Sequence, residues 1–305
     1  MSHAMPFSAS RAFAAYLQER FPPVNMALFA IVFLTVRAVV VAAGGMSAFG
    51  LREVTGIAAT ISFFYRLRVF DELKDYSADL EHHPHRVLQT GRVTLGQLGV
   101  VAVLGSVGEL LWSAWMGPQA VAGWGLAAGY SLLMRYEFGV GHWLRPRLLL
   151  YAGTHLLVMP LVILWLWWAL AGPGTLPVVF GLLAALSLLG GLAFEVARKI
   201  RPVEVPGLDS YSRELGYGGA IAAVLGVLLG GVLVQARLLR LLHAGPWPLV
   251  LLGLLYLITG AHYFRAWRQP EVARLKRAEL LTSLFMLVSY GSILIEIHGF
   301  GHHFE

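Results

Sequence analysis

Cysteine is absent from this 305-residue chain. That excludes a disulfide framework, a zinc–thiolate centre and an iron–sulfur cluster. Charge is scarce as well: 13% of residues are Asp, Glu, Lys or Arg, where a soluble domain carries roughly a quarter. So little charge is compatible only with an apolar solvent. In its place stand 57% apolar residues and a mean hydropathy of +0.68, and this pattern overrides length as a guide to architecture. The net charge of +6 and pI near 9.7 therefore fit basic loops facing anionic lipid, not nucleic acid. A continuous apolar core is also missing from the first 23 residues, where Glu19, Arg20, Pro22 and Pro23 interrupt the run. The segment does not read as a cleaved signal peptide, and Phe7 to Phe21 is expected to form an amphipathic interfacial helix.

About 20 apolar residues are needed to cross the hydrocarbon core as a helix. Nine segments meet this criterion, at 25–44, 51–70, 94–116, 119–138, 148–171, 176–197, 214–236, 246–265 and 277–298. Gly and Pro punctuate the breaks, as at Gly117-Pro118 and Gly245-Pro246. The expected fold is all-α: a polytopic membrane protein of about nine transmembrane helices. Residues 1–24 form an interfacial arm, 25–298 the membrane domain and 299–305 a short tail. Gly226, Gly230 and Gly231 are expected to allow close helix approach. With the N-terminus inside, 19 of the 23 Lys and Arg residues fall on the cytoplasmic side; Arg52, Arg237 and Arg240 fall opposite and Arg37 within a span. This is a decisive positive-inside bias. The expectation is a multi-pass integral membrane protein, of the bacterial inner-membrane type if prokaryotic.

The second span runs into Asp71-Glu-Leu-Lys-Asp75-Tyr-Ser-Ala-Asp79. A step of four residues advances about 400° on an α-helix, so the three carboxylates share one slowly drifting face. Such a row at a membrane boundary is self-repelling unless a cation sits among the acids. Mg²⁺ suits it best, with Mn²⁺ the alternative, because Mg²⁺ takes one or two carboxylates, keeps waters and bridges to substrate phosphates. The competing reading is a solvated helix whose acids pair with Lys74 and Arg86.

The ladder continues into His83-Pro84-His85-Arg86-Val87 and closes on Gly91. Asp71, Asp75, Asp79, Pro84, Arg86 and Gly91 together resemble the first signature of the UbiA superfamily of intramembrane prenyltransferases. Val87 stands where that family usually has a second Pro, and Glu72 where it usually has a further Asp. The family's second Asp-rich motif falls at the end of the sixth span, where this chain has Glu195, Arg198, Lys199, Arg201 and Glu204, then Gly207 through Tyr211. Glu195 and Glu204 occupy the acidic positions, and a basic cluster replaces the usual aspartates. At the end of the fourth span Tyr130 and Arg135 match a Tyr-x3-Lys-Arg pattern, with Met134 in place of the Lys.

The resemblance implies an enzyme that grips an isoprenoid diphosphate through Mg²⁺ and transfers its prenyl group to a lipophilic or aromatic acceptor within the lipid bilayer. It implies Asp71, Asp75 and Tyr130 as catalytic, and Asp71, Asp75, Asp79, Glu195 and Glu204 as metal ligands. Arg66, Arg68, Lys74, Arg86, Arg135, Arg198, Lys199 and Arg201 are the candidate diphosphate contacts, since Arg offers bidentate recognition of phosphate oxygens; as topology anchors they would have a simpler role. Two alternatives stay open: a transporter or permease for a small solute or divalent ion, and a non-catalytic isoprenoid-binding protein. Inside the bundle, Arg37, Glu109, His155 and Glu296 are costly ionisable groups. Arg37 and Glu109 are expected to pair and His155 to bond across helices. Glu137 is expected to pair with Arg135, and Trp165, Trp167 and Trp168 to form an interface belt. His298, His302 and His303 form a weak terminal histidine cluster.

Overall fold

The structure, a computed structural model, describes residues 9–45, 48–204 and 208–300, with side chains to His298. Phe7, Ser8, Gly207, His302 and His303 lie outside the described residues. All regular structure among the described residues is helical. Helix α1 (Ala9–Arg20) leads through Phe21 and Pro22 into α2 (Pro23–Ala42), which starts on Pro23, the helix position where a missing N–H is no loss. Helix α3 (Leu51–His82) opens with the Glu53 carboxylate accepting from the Gly50 N–H at 2.7 Å. It runs on unbroken through the acidic ladder and stops at His83, before Pro84. Helix α4 (Leu95–Met116) starts from a reciprocal Thr94–Gln97 cap, at 3.2 and 2.9 Å. Gly117, at φ +129°, turns the chain into α5 (Pro118–Arg135).

A 3-10 turn (Glu137–Gly139) and the short α6 (Gly141–Leu144) follow, then α7 (Leu148–Leu156) and α8 (Val158–Ala171). These last two are one predicted span, broken at Leu157. Pro160 explains the break: it has no N–H for the Leu156 carbonyl, and its ring crowds that carbonyl. The remaining elements are α9 (Val178–Arg198), α10 (Tyr211–Leu215), α11 (Tyr217–Leu241), α12 (Trp247–Arg268) and α13 (Val272–Phe300).

Every one of the nine predicted spans is helical, but seven are long and apolar enough to cross a membrane on length and composition. The two that fall short are α3, laden with charge, and α5, which is 18 residues long and glycine-rich. Both still pack inside the bundle. In order, α2, α3, α4, α5, α8, α9, α11, α12 and α13 each pack on the next, and α13 returns onto α2. The result is a closed ring of helices. One apolar cluster centres on Phe33, Phe63 and Trp165, another on Leu228, Tyr263 and Phe285.

Of the three glycines expected to allow close helix approach, Gly231 does so: a Cβ there would lie 3.2 Å from the Phe285 ring of α13. A Cβ on Gly226 would meet nothing within 4 Å, and one on Gly230 only ordinary contacts, whereas a Cβ on Gly123 would lie 2.8 Å from the Trp165 backbone. The tryptophan run also departs from expectation. Trp165 and Trp167 are buried in the bundle, and the Trp165 indole donates to Ser113 Oγ at 2.9 Å. They are core residues, not an interface belt.

Buried ionisable groups are committed differently from the sequence reading. Glu109 pairs with Arg66 at 3.1 Å, not with Arg37, and accepts from Ser62 Oγ at 2.8 Å and Trp124 Nε1 at 2.9 Å. Arg37 instead lies 3.4 Å from His298 Nε2. Glu296 accepts from the Gly245 N–H and the Trp247 indole, tying the α11–α12 turn to α13. His155 bonds within its own helix, its Nδ1 lying 2.9 Å from the Tyr151 carbonyl oxygen.

Candidate active site at the ladder end of the bundle

The ladder half of α3 extends past the apolar part of the ring. Beside it sit the C-terminal ends of α5 and α9 and the start of α7. Between them is a cavity of about 880 Å³. It is lined from α3 by Arg68, Asp71, Lys74, Asp75 and Asp79, and from α9 by Glu195, Arg198 and Lys199. Arg86 enters from the loop after α3, and Arg135 from the end of α5. Ten of the sequence-predicted site residues thus converge on one chamber from three regions far apart in the chain: α3 with the loop after it, the end of α5 and the end of α9.

Four predicted residues do not. Arg66 points into the bundle, where its Nη1 donates to Ser106 Oγ at 2.9 Å and its Nη2 pairs with Glu109. It stands about 140° around the helix from Asp71, at 100° per residue. Glu204 is exposed and accepts from Ser210 Oγ at 3.1 Å. Arg201, in the same loop, gives its backbone N–H to Ser212 Oγ and does not line the cavity. Tyr130 donates its hydroxyl to the Thr154 carbonyl at 2.6 Å, so its hydrogen is spent on holding α5 against α7.

Several cavity residues were missed by the sequence reading. Arg20 arrives from α1, Arg145 from the α6–α7 loop and Tyr151 from α7, with Glu137 and Asp209 completing the wall. Glu72, the departure from the family's Asp, is buried behind the ladder, where Arg20 and Arg68 each reach it at 2.7 Å. Its longer side chain joins α1 to α3. The Glu19 carboxylate adds a second tie, accepting from the Val87 N–H at 2.8 Å. Glu137 takes Arg145, not Arg135, as its partner, at 2.7 and 2.9 Å. It does so from a turn in which Glu137 and Phe138 both have positive φ, a conformation that costs non-glycine residues about 1 kcal/mol or more each.

Most charges in the chamber are paired. Asp79 is held by Arg86 at 2.5 Å and Arg20 at 3.7 Å; Glu195 by Arg198 and by Lys199 at 2.9 Å. Two cations and two acids are left freer. Arg135 packs over the Phe70 and Tyr136 rings with no carboxylate partner among the described residues. Lys74 donates to the Tyr151 hydroxyl at 2.7 Å. Asp75 has no ion-pair partner among the described residues, and Asp71 has only Arg68, at 4.0 Å. Water still reaches Asp71, which is 55% exposed, yet the surrounding walls displace much of its bulk solvent. That desolvation pushes its carboxyl above the usual range, against the lowering by Lys74 and Arg68. Burial opposes the charge on Lys74, but the Tyr151 hydrogen bond and the two neighbouring aspartates raise its pKa overall.

Two lightly committed carboxylates one turn apart match the way Mg²⁺ is held, with waters and phosphate oxygens completing the shell. The opposing half does not match, because Glu195 is saturated by cations and Glu204 lies elsewhere. Among the described residues no three acids or histidines are assembled around one point. The site therefore fits a cation that brings a phosphate with it, not a preformed cage.

The fold and this chamber define a class: an all-helical membrane bundle with an acid-and-base-lined cavity at one end of the ring. Comparison with solved structures identifies the fold as that of the UbiA homologues. A digeranylgeranylglyceryl phosphate synthase structure aligns with TM-score 0.66 at 13% identity, over 94% of this chain and 99% of its own. A UbiA homologue from Aeropyrum pernix aligns with TM-score 0.67 at 19% identity, over 88% and 96%. A UbiA homologue from Archaeoglobus fulgidus, bound to DMAPP and Mg²⁺, aligns with TM-score 0.53 at 15% identity, over 91% and 98%. No protein-family model and no curated protein matches the sequence.

Proposed function

We propose that this chain is a divergent UbiA-type prenyltransferase: a multi-pass membrane enzyme that binds an isoprenoid diphosphate with Mg²⁺ and transfers the prenyl group to a lipophilic or aromatic acceptor. The observation that carries the reading is the convergence of the α3 ladder and the α9 basic end on one chamber. The basic-loop bias supports placing that chamber and the N-terminus on the cytoplasmic side. Asp71 and Asp75 would hold Mg²⁺, or Mn²⁺, and the ion would supply electrophilic stabilisation of the diphosphate. Arg135 and Lys74, which form no carboxylate ion pair among the described residues, are the side chains readiest to take phosphate oxygens. Arg86, Arg198 and Lys199 must first exchange a carboxylate for the phosphate. The surrounding apolar helices would hold the prenyl tail and keep water from the allylic cation.

The transporter reading needs ionisable groups free to serve a path through the bilayer. Glu109 and Glu296 are each engaged by structural donors, which weakens it. The saturated Glu195 keeps a binding-only reading in play. The decisive experiment incubates purified protein with Mg²⁺, radiolabelled prenyl diphosphates and lipid extract, and follows label into organic-soluble product. Asp75→Asn should lower transfer by about 10²-fold or more, as for loss of one electrostatic contact to a transition state. Transfer that survives Asp75→Asn undiminished would sink the assignment; tight binding with no transfer in the wild type would favour the binding-only reading.

A further inference from the structure

We propose that Tyr151 is a catalytic hydrogen-bond donor to the departing diphosphate, its hydroxyl held and polarised by Lys74; this rests on the prenyl-transfer reading above. Two hydroxyl side chains line the chamber, Ser131 and Tyr151. Ser131 spends its hydrogen on the Ala128 carbonyl at 2.7 Å. Tyr151 does not. An ammonium only donates, so in the 2.7 Å contact with Lys74 the phenolic oxygen is the acceptor. Its own hydrogen then has no acceptor among the described residues.

The hydroxyl is also held in place. Tyr151 stacks on the His155 ring at 3.9 Å and 18°, and its carbonyl is engaged by His155 Nδ1. The helix start is pinned where the Leu148 N–H donates to Glu214 at 3.0 Å. Lys74 itself stands between Asp71 and Asp75 on the ladder. A donor fixed in advance, polarised by a neighbouring cation and sited beside the acids, is the arrangement that stabilises charge developing on an oxygen.

In the transfer step the prenyl carbon–oxygen bond breaks and its electron pair stays on the diphosphate oxygen. Tyr151 donates a hydrogen bond to that oxygen and keeps its proton. The nucleophilic acceptor supplies the pair for the new bond to the prenyl carbon and releases its own proton to solvent.

The test is Tyr151→Phe, which keeps the ring and its stacking and removes only the hydroxyl. Turnover with dimethylallyl, geranyl and geranylgeranyl diphosphates should fall by about 10²-fold, a typical loss for one such donor. KM, and the Kd for inorganic pyrophosphate with Mg²⁺ measured by calorimetry, should stay within about threefold. The pyrophosphate Kd also reports that the variant is folded. Unchanged turnover in Tyr151→Phe would overturn the proposal, and so would a rise in KM and Kd with kcat intact, which would make Tyr151 a binding residue. A wild-type protein that binds pyrophosphate but consumes no prenyl diphosphate would overturn the underlying reading together with it.

Discussion

Glu109 is fully buried at 0% exposure, and Arg66 beside it has a side chain 8% exposed. Replacing Glu109 by Leu leaves the Arg66 guanidinium with only Ser106 to satisfy it, and strands the Ser62 hydroxyl and the Trp124 indole. Removing one member of a buried pair costs about 3–5 kcal/mol in soluble proteins, with about 1 kcal/mol for each stranded donor. In membrane bundles polar contacts average nearer 0.6 kcal/mol, because the unfolded reference finds other partners. The expected loss for Glu109→Leu is therefore at the lower end, about 3 kcal/mol. Arg66→Met should cost a similar amount. The double variant removes both charges, so it should be less than about 2 kcal/mol below wild type, a coupling large enough to measure in a cycle. Reversible unfolding in mixed micelles, followed by tryptophan fluorescence, reads all four corners. Additive losses in the double variant would refute the claim that these residues act as a pair.

Three further outcomes follow from the same geometry. Arg135→Ala should raise KM for the prenyl diphosphate about tenfold, roughly the 1.4 kcal/mol of one charge-assisted contact, and more than Arg198→Ala does, since Arg198 is already engaged by Glu195; equal effects would contradict the division between free and paired cations. Glu72→Gln should loosen α1 from α3, seen as faster protease cleavage between residues 9 and 22 with the remaining bundle intact. Gly123→Ala should destabilise the bundle by about 1–3 kcal/mol, because its methyl would press on the Trp165 backbone and force α5 and α8 apart; thermal unfolding in detergent checks this.

The ladder was legible in the sequence because its logic is local: three acids on one face of a helix that nothing interrupts until Pro84. Arg66 was separable from it by the same arithmetic, being on another face, whereas Arg68 shares a side with Glu72 and Asp71. Arg20, Arg145 and Tyr151 were not legible, since each reaches the chamber by packing between segments tens of residues apart. Trp165 was misread for a different reason. Lipid and bundle interior are equally apolar, so hydropathy does not tell a lipid-facing tryptophan from a buried one. Nor does the sequence say which carboxylates are already neutralised; the commitment of Glu195 to Arg198 and Lys199 appears only once α9 ends beside the chamber.

The closed ring of helices has a consequence for how the protein is made. Among the described helices of the ring, α2 is made before the others and α13 after them, yet the two pack together, with the Thr35 hydroxyl donating to the Tyr290 carbonyl at 3.2 Å between residues 255 positions apart. The Arg20–Glu72 and Glu19–Val87 ties of the chamber rim form much earlier in synthesis, across 52 and 68 positions. The half of the molecule bearing the acidic ladder can therefore assemble while translation continues. The seam between α2 and α13 stays open, facing lipid or an insertion factor, until α13 arrives to close it.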